Sequence, residues 1–194
     1  MTMKNSVIFL ANGFEEIEAL TVVDVLRRAN LKCDMCSLMD IEVTGSHGIT
    51  IKANLIISNL ISQHYDCIIL PGGMPGAKNL KENKKIISLV KSFNRDGKLV
   101  AAICAATIVL KEADIIEDKK VTSFPGVKPE LVGCDYQEEI VVQDDNLITS
   151  RGPATALEFA LKLVENLSGK EVSQGLREEM LVDFVENKIK AGLK

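Results

Sequence analysis

Cys104 is the residue best placed to do chemistry. It closes the run Leu99-Val100-Ala101-Ala102-Ile103, five small or branched apolar residues that read as a buried strand, and Ala105 to Leu110 can start a helix directly after it. A thiol at such a corner meets the positive end of the helix dipole and unpaired backbone N–H groups. Both favour thiolate over thiol, which predicts a pKa below the free value. Strained strand-to-helix turns present the nucleophile in hydrolases built on parallel sheets. The alternative for a cysteine after an apolar strand is an inert core position.

A carboxyl group in the first helix is the second candidate. In Asn12-Gly13-Phe14-Glu15-Glu16-Ile17-Glu18, a turn of about 100° per residue puts Glu18 on the arc of Val22, Val25, Leu26 and Ala29, with Glu16 opposite beside Leu20 and Arg27. An acid in an apolar stripe must find partners or become neutral. Glu18 is therefore expected to be buried and protonated, whereas Glu15 and Glu16 fit simple complementation of a helix N-terminus. Leu70-Pro71-Gly72-Gly73-Met74-Pro75-Gly76 can turn backbone N–H groups toward a ligand, and Gly73 with Cys104 or Ala105 can form an oxyanion pocket. This loop lacks the lysine and hydroxyl residue of a phosphate loop. Ser150-Arg151-Gly152-Pro153 is a further strand-to-helix corner. Pro153 suits a first helical position, and Arg151 either binds an anion or caps a surface.

Strands and helices alternate to position these groups. The patterns predict strands at Ser6–Ala11, Cys33–Leu38, Asp66–Leu70, Lys98–Ile103, Lys120–Ser123, Ile140–Gln143 and Leu147–Ser150, and a short one at Ile49–Ala53 outside the main sheet. Helices are predicted over Glu15–Asn30, Lys78–Asn94 with a break near Asn83, Pro153–Leu167 and Val172–Ala191, and a solvated loop over Lys111–Lys120. Such alternation means an α/β domain: a doubly wound, mostly parallel sheet with helices on both faces and its ligands beyond the carboxyl ends of the strands.

Composition narrows the function classes. The 194 residues are 46% hydrophobic and 26% charged, as expected of one globular domain over 1–194. A net charge of −4 argues against nucleic-acid or anionic-membrane surfaces. No apolar run reaches the roughly 20 residues of a membrane span, and Met1–Asn5 leads into a strand without a signal-peptide core, so a cytoplasmic setting is expected. Five scattered cysteines do not form a disulfide framework. Cys33 and Cys36 have redox-motif spacing but fall on a strand, facing opposite sides. Neither His47 nor His64 has ligand spacing to a cysteine or carboxylate cluster, so no metal site is expected.

Four segments in this order, Leu10–Glu18, Leu70–Gly73, Ala101–Ala105 and Thr149–Pro153, resemble the ThiJ/PfpI superfamily and its DJ-one branch with bacterial relatives; Val22–Arg28 and Glu158–Leu161 extend the match over essentially the whole chain. The resemblance implies a flavodoxin-like homodimer, with the first helix and the region of His47 near the interface. The apolar Ile17 and Leu20 on an otherwise polar arc are the support for that interface in the residues themselves. It also implies a reactive, oxidisable Cys104, a protonated Glu18 touching it, and an oxyanion pocket including Gly73 and Ala105. One departure stands out: Ser123-Phe124-Pro125 occupies the turn where some members carry a histidine, and no histidine follows His64. A Cys-His dyad, the protease branch and the glutamine amidotransferases are thereby excluded. The activity implied is a cofactor-independent glyoxalase or deglycase acting on methylglyoxal-like dicarbonyls or early glycation adducts. The alternative is an oxidation-sensing stress protein or redox-regulated chaperone using the same cysteine.

Overall fold

Unbroken apolar strands cannot leave either face to water, and here neither face is. Val7, Ile8, Phe9 and Leu10 are all fully buried in succession, as are Ile68, Ile69 and Leu70. The computed structural model describes residues 4–192; the first three residues of the Met1–Asn5 lead, and residues 193–194, lie outside it. The chain runs β1 (Asn5–Leu10), α1 (Glu16–Arg28), β2 (Lys32–Ser37), the hairpin β3 (Glu42–Thr44) and β4 (Thr50–Lys52), then β5 (Leu55–Ile56) and β6 (Cys67–Leu70). Next come α2 (Gly76–Glu82), α3 (Lys84–Arg95), β7 (Leu99–Ile103), α4 (Thr107–Glu112) and the small pair β8 (Lys120–Val121) and β9 (Asp135–Tyr136). The chain closes with β10 (Val141–Asp144), β11 (Leu147–Ser150), α5 (Ala156–Ser168), α6 (Lys170–Glu179) and α7 (Val182–Lys190).

The main sheet has the order β10-β11-β7-β6-β1-β2-β5, parallel throughout except for β10 at one edge. One helix layer packs α1 on α5 and α5 on α6; the other packs α2, α3 and α4 together. This is the doubly wound, flavodoxin-like α/β class expected from the sequence. The chain leaves β1 toward β2 on one side and returns to β6 on the other. That reversal opens a crevice beyond the carboxyl ends of β1 and β6, beside β7.

Local chemistry explains the element ends. Asn83 breaks the second helical run because its side chain accepts from the amides of Lys85 and Ile86 (3.0 and 3.2 Å), a cap worth about 1 kcal/mol. The short strand at β4 lies outside the main sheet as predicted, paired antiparallel with β3. Three expectations need correction. The helix after Cys104 starts at Thr107, and Cys104–Ala106 form a 3-10 turn. Pro153–Thr155 likewise form a 3-10 turn before α5. The single C-terminal helix is two, divided at Leu181, whose φ of 60° is left-handed although no glycine or proline marks the break.

Candidate active site

Three chain segments meet at the crevice, and Gly72 shows how closely. A β-carbon on Gly72 would lie 2.6 Å from Glu18 Oε2, 2.7 Å from Cys104 Cβ and 3.1 Å from the Ala105 nitrogen. Only a residue without a side chain lets these three groups converge. Gly73 then turns the loop away at a φ of 87°, and the Gly72 carbonyl accepts from the Glu15 amide at 2.9 Å.

Glu18 arrives in the first turn of α1. Glu15 caps that helix, its Oε2 accepting from the Glu18 amide at 2.7 Å. Glu18 is completely buried. Its Oε2 accepts from the Gly72 amide at 2.8 Å, while Oε1 has no hydrogen-bond partner of ordinary geometry. Burial raises its pKa from 4.5 to about 7; interactions with the Cys104 thiol and the Gly72 amide oppose the rise, and the Glu15 charge adds to it. The expectation of a buried carboxyl group that resists ionisation therefore matches the structure. Glu15 serves as the cap, and its charge adds to the rise that burial imposes on Glu18.

Cys104 sits at the corner after β7 with a φ of 62°. For a residue with a β-carbon this left-handed conformation costs about 1–2 kcal/mol and is held only where surrounding contacts enforce it. Here the Cys104 carbonyl accepts from Thr107 Oγ1 (3.2 Å) and from the Phe124 amide (3.3 Å). The side chain is only 8% exposed. The expected lowering of its pKa does not hold. Burial, the Glu18 carboxylate and its hydrogen bond push the thiol up, and the amides of Ala105 and Gly73 that face the sulfur only partly oppose them. The six-residue helix starts three positions too late for its dipole to rescue the anion. The crevice admits one negative charge, not two, so Glu18 and Cys104 contend for a single proton.

Arg151 reaches the same edge, because β11 pairs Ser150 with Ile103. Thr155 Oγ1 ties this corner, accepting from the amides of Arg151 and Gly152 at 3.2 and 3.0 Å. Pro153 takes the first position of the following turn, as its fixed φ suits. The Arg151 guanidinium pairs with no acid among the described residues, and its Nη1 is buried without a partner. Phe124, half exposed, fills the turn beside the Cys104 carbonyl. Cys33, Cys36 and Cys67 are buried within the strands of the sheet, and burial pushes the first two up to about 11 and about 12.

Glu16 is the functional-looking residue that sequence periodicity misses. It is buried, because the loop after β3 folds over it: the His47 amide donates to Oε1 at 2.7 Å and His47 Nδ1 lies 2.7 Å from Oε2. Burial opposes ionisation, but these bonds and that from Ile49 outweigh it and lower the pKa from 4.5 to about 2. Glu15, Glu16 and His47 thus bring possible metal-ligand atoms within 4.8 Å of one another, a cluster that sequence spacing does not reveal. Its contacts are those of a hydrogen-bonded clasp.

A reactive-type cysteine at a strained elbow, beside a buried carboxyl group on a doubly wound sheet, defines a class of cysteine-centred α/β proteins. The comparisons place this chain within it: residues 4–166 match the model of the DJ-1/PfpI family, and the chain belongs to that family. It is 40% identical to protein dj-1beta of Drosophila melanogaster over 184 residues, 93% of this chain and 98% of that protein. The crystal structure of that fly protein superposes with a TM-score of 0.90 at 39% identity, covering 93% of this chain and 98% of its own. The glutathione-independent glyoxalase DJR-1.2 of Caenorhabditis elegans is 37% identical over 84% of this chain and 87% of its own length. The structure titled Toxoplasma gondii DJ-1, oxidized, has a TM-score of 0.88 at 34% identity, covering 92% and 98%.

Proposed function

We propose that this protein is a cysteine-dependent, cofactor-independent glyoxalase or deglycase acting on methylglyoxal-like dicarbonyls or early glycation adducts. The observation that carries the reading is the complete burial of Glu18 against Gly72 and Cys104, with a pKa near 7. In the reacting form Glu18 holds the shared proton and Cys104 the charge. The thiolate adds to the aldehyde carbon, and the Gly73 and Ala105 amides are the donors at hand for the oxyanion. Glu18 protonates that oxygen to a hemithioacetal, takes the aldehyde-derived C–H proton and returns it to the neighbouring carbon, while the new hydroxyl's proton passes to the former ketone oxygen to leave the lactoyl thioester. Water then cleaves the thioester, so methylglyoxal plus water gives lactate and the thiol is restored. Arg151 is suited to the carboxylate product. The name of the worm relative supports the reaction class.

The single-domain reading of 1–194, the homodimer and the cytoplasmic setting belong to the same proposal. Ile17 is 57% exposed on α1 and Ile49 52% on the loop that Glu16 clasps, which supplies an apolar surface for a second copy. No helix among the described residues is long and apolar enough to cross a membrane.

Lactate formation from methylglyoxal in amine-free buffer tests the activity: the protein produces it and Cys104→Ser does not. Equal production by both refutes the reading. The second reading is favoured by the two amides already facing the sulfur, which are placed to hold the oxygens of a sulfinate formed by peroxide. Mass spectrometry showing oxidation halted at sulfinate on Cys104, with no lactate produced, selects it.

A further inference from the structure

A second cavity, of about 370 Å³, opens at the same sheet edge over the ends of β1 and β2, and Cys104 does not line it. Its volume lies in the range of small-molecule pockets. The floor is apolar: Leu10, Ala11 and Val43 are buried there and Leu38 lies beside them. One hydroxyl interrupts that floor. Ser37 lines the cavity, is 1% exposed, and its Oγ has no hydrogen-bond partner. An unpaired buried hydroxyl costs about 1–3 kcal/mol, which a ligand donor can recover.

The rim has one sign of charge. Asp40, Glu42 and Glu82 lie on it, and no lysine, arginine or histidine is among the lining residues. Glu82 has an outside partner in Lys78 at 3.8 Å, but both side chains are largely exposed, so that pair is weak. Asp40 and Glu42 form no ion pair among the described residues. Focused between low-dielectric walls, such a rim attracts cations and repels anions.

We propose that this cavity binds a short aliphatic cation with an N–H-rich head, an alkylammonium or alkylguanidinium. Its head meets Asp40 and Glu42, its stem covers Leu10 and Val43, and one N–H donates to Ser37 Oγ. The site is separate from the cysteine crevice and carries no chemistry of its own: acids line it and no nucleophile does.

Isothermal titration calorimetry on the whole protein tests this with n-butylammonium and n-butylguanidinium, and with butyrate as the anionic control at matched ionic strength. Saturable binding of the cations and none of butyrate is expected. The exposed pair Asp40→Asn with Glu42→Gln should weaken cation binding by about tenfold or more, Ser37→Ala by less, and Cys104→Ser not at all. Absent binding, equal binding of butyrate, an unchanged affinity in the paired variant, or loss of binding in Cys104→Ser each overturns the proposal.

Discussion

Glu18→Gln isolates the proton that the crevice holds. The amide keeps an oxygen for the Gly72 N–H, which Glu18 Oε2 accepts at 2.8 Å, and is nearly the same size, so packing changes little. What it removes is the ability to ionise. In the folded protein Glu18 has a pKa of about 7 against 4.5 for the free group, which corresponds to roughly 3 kcal/mol. Because the folded value is the higher one, the folded state binds more protons than the unfolded chain between these limits. This contribution to stability is complete below pH 4.5 and is lost as pH rises through 7. Urea unfolding of both proteins across that interval should therefore show the wild type losing up to roughly 3 kcal/mol relative to the variant. Titrating groups other than Cys104, which is coupled to Glu18, cancel in the difference. Ultraviolet titration of the thiolate should show the Cys104 pKa falling in Glu18→Gln, since the neighbouring carboxylate that pushes it up is gone. Lactate production should nonetheless fall by about 10²-fold or more, because an amide carries no proton between substrate atoms. Parallel unfolding curves with an unmoved thiol titration would refute the reasoning, leaving Glu18 an ordinary carboxylate at a helix start.

Three further outcomes follow from the geometry. Gly72→Ala should abolish turnover while circular dichroism stays native, since its methyl would stand 2.7 Å from Cys104 Cβ and displace either the thiol or Glu18; retained activity would show that the three segments are looser than drawn. Glu16→Ala should lower the unfolding free energy by about 2 kcal/mol at neutral pH. Because the folded pKa of Glu16 is depressed to about 2, that deficit should be present above pH 4.5 and shrink as pH falls toward 2, and a pH-independent deficit would deny the clasp its charge. Graded iodoacetamide labelling followed by peptide mapping should modify Cys104 before Cys33, Cys36 and Cys67, which lie within the sheet; Cys134, partly exposed with its thiol donating to the Leu131 carbonyl at 3.0 Å, is the competitor whose prior labelling would count against a privileged Cys104.

What could be read from the sequence divides along the range of the interactions involved. Glu18 was legible because helical period alone puts it with Val22, Val25 and Leu26, and all of these are buried. Asn83 was legible as a break because a cap is a contact over two or three residues. The same periodicity misplaced Glu16, whose burial depends on His47, 31 residues away on a hairpin no helical wheel contains. Leu181 hid a helix boundary for the opposite reason: it adopts a left-handed φ without the glycine that ordinarily announces one. The corner at Cys104 is legible in the sequence, but the charge on its sulfur is not. Sequence pattern identifies a thiol near a helix start, a favourable local field. It does not reveal that the helix begins only at Thr107, or that solvent is excluded and an acid lies across Gly72. Those non-local features reverse the sign. They also turn two separate ionisations into one shared proton, so the reactivity of this cysteine is a property of the pair. A pH profile of carbonyl turnover should accordingly report apparent values belonging to Glu18 and Cys104 together, and Glu18→Gln should change its shape rather than only its height. A profile that keeps its shape in the variant would assign the titration to the thiol alone.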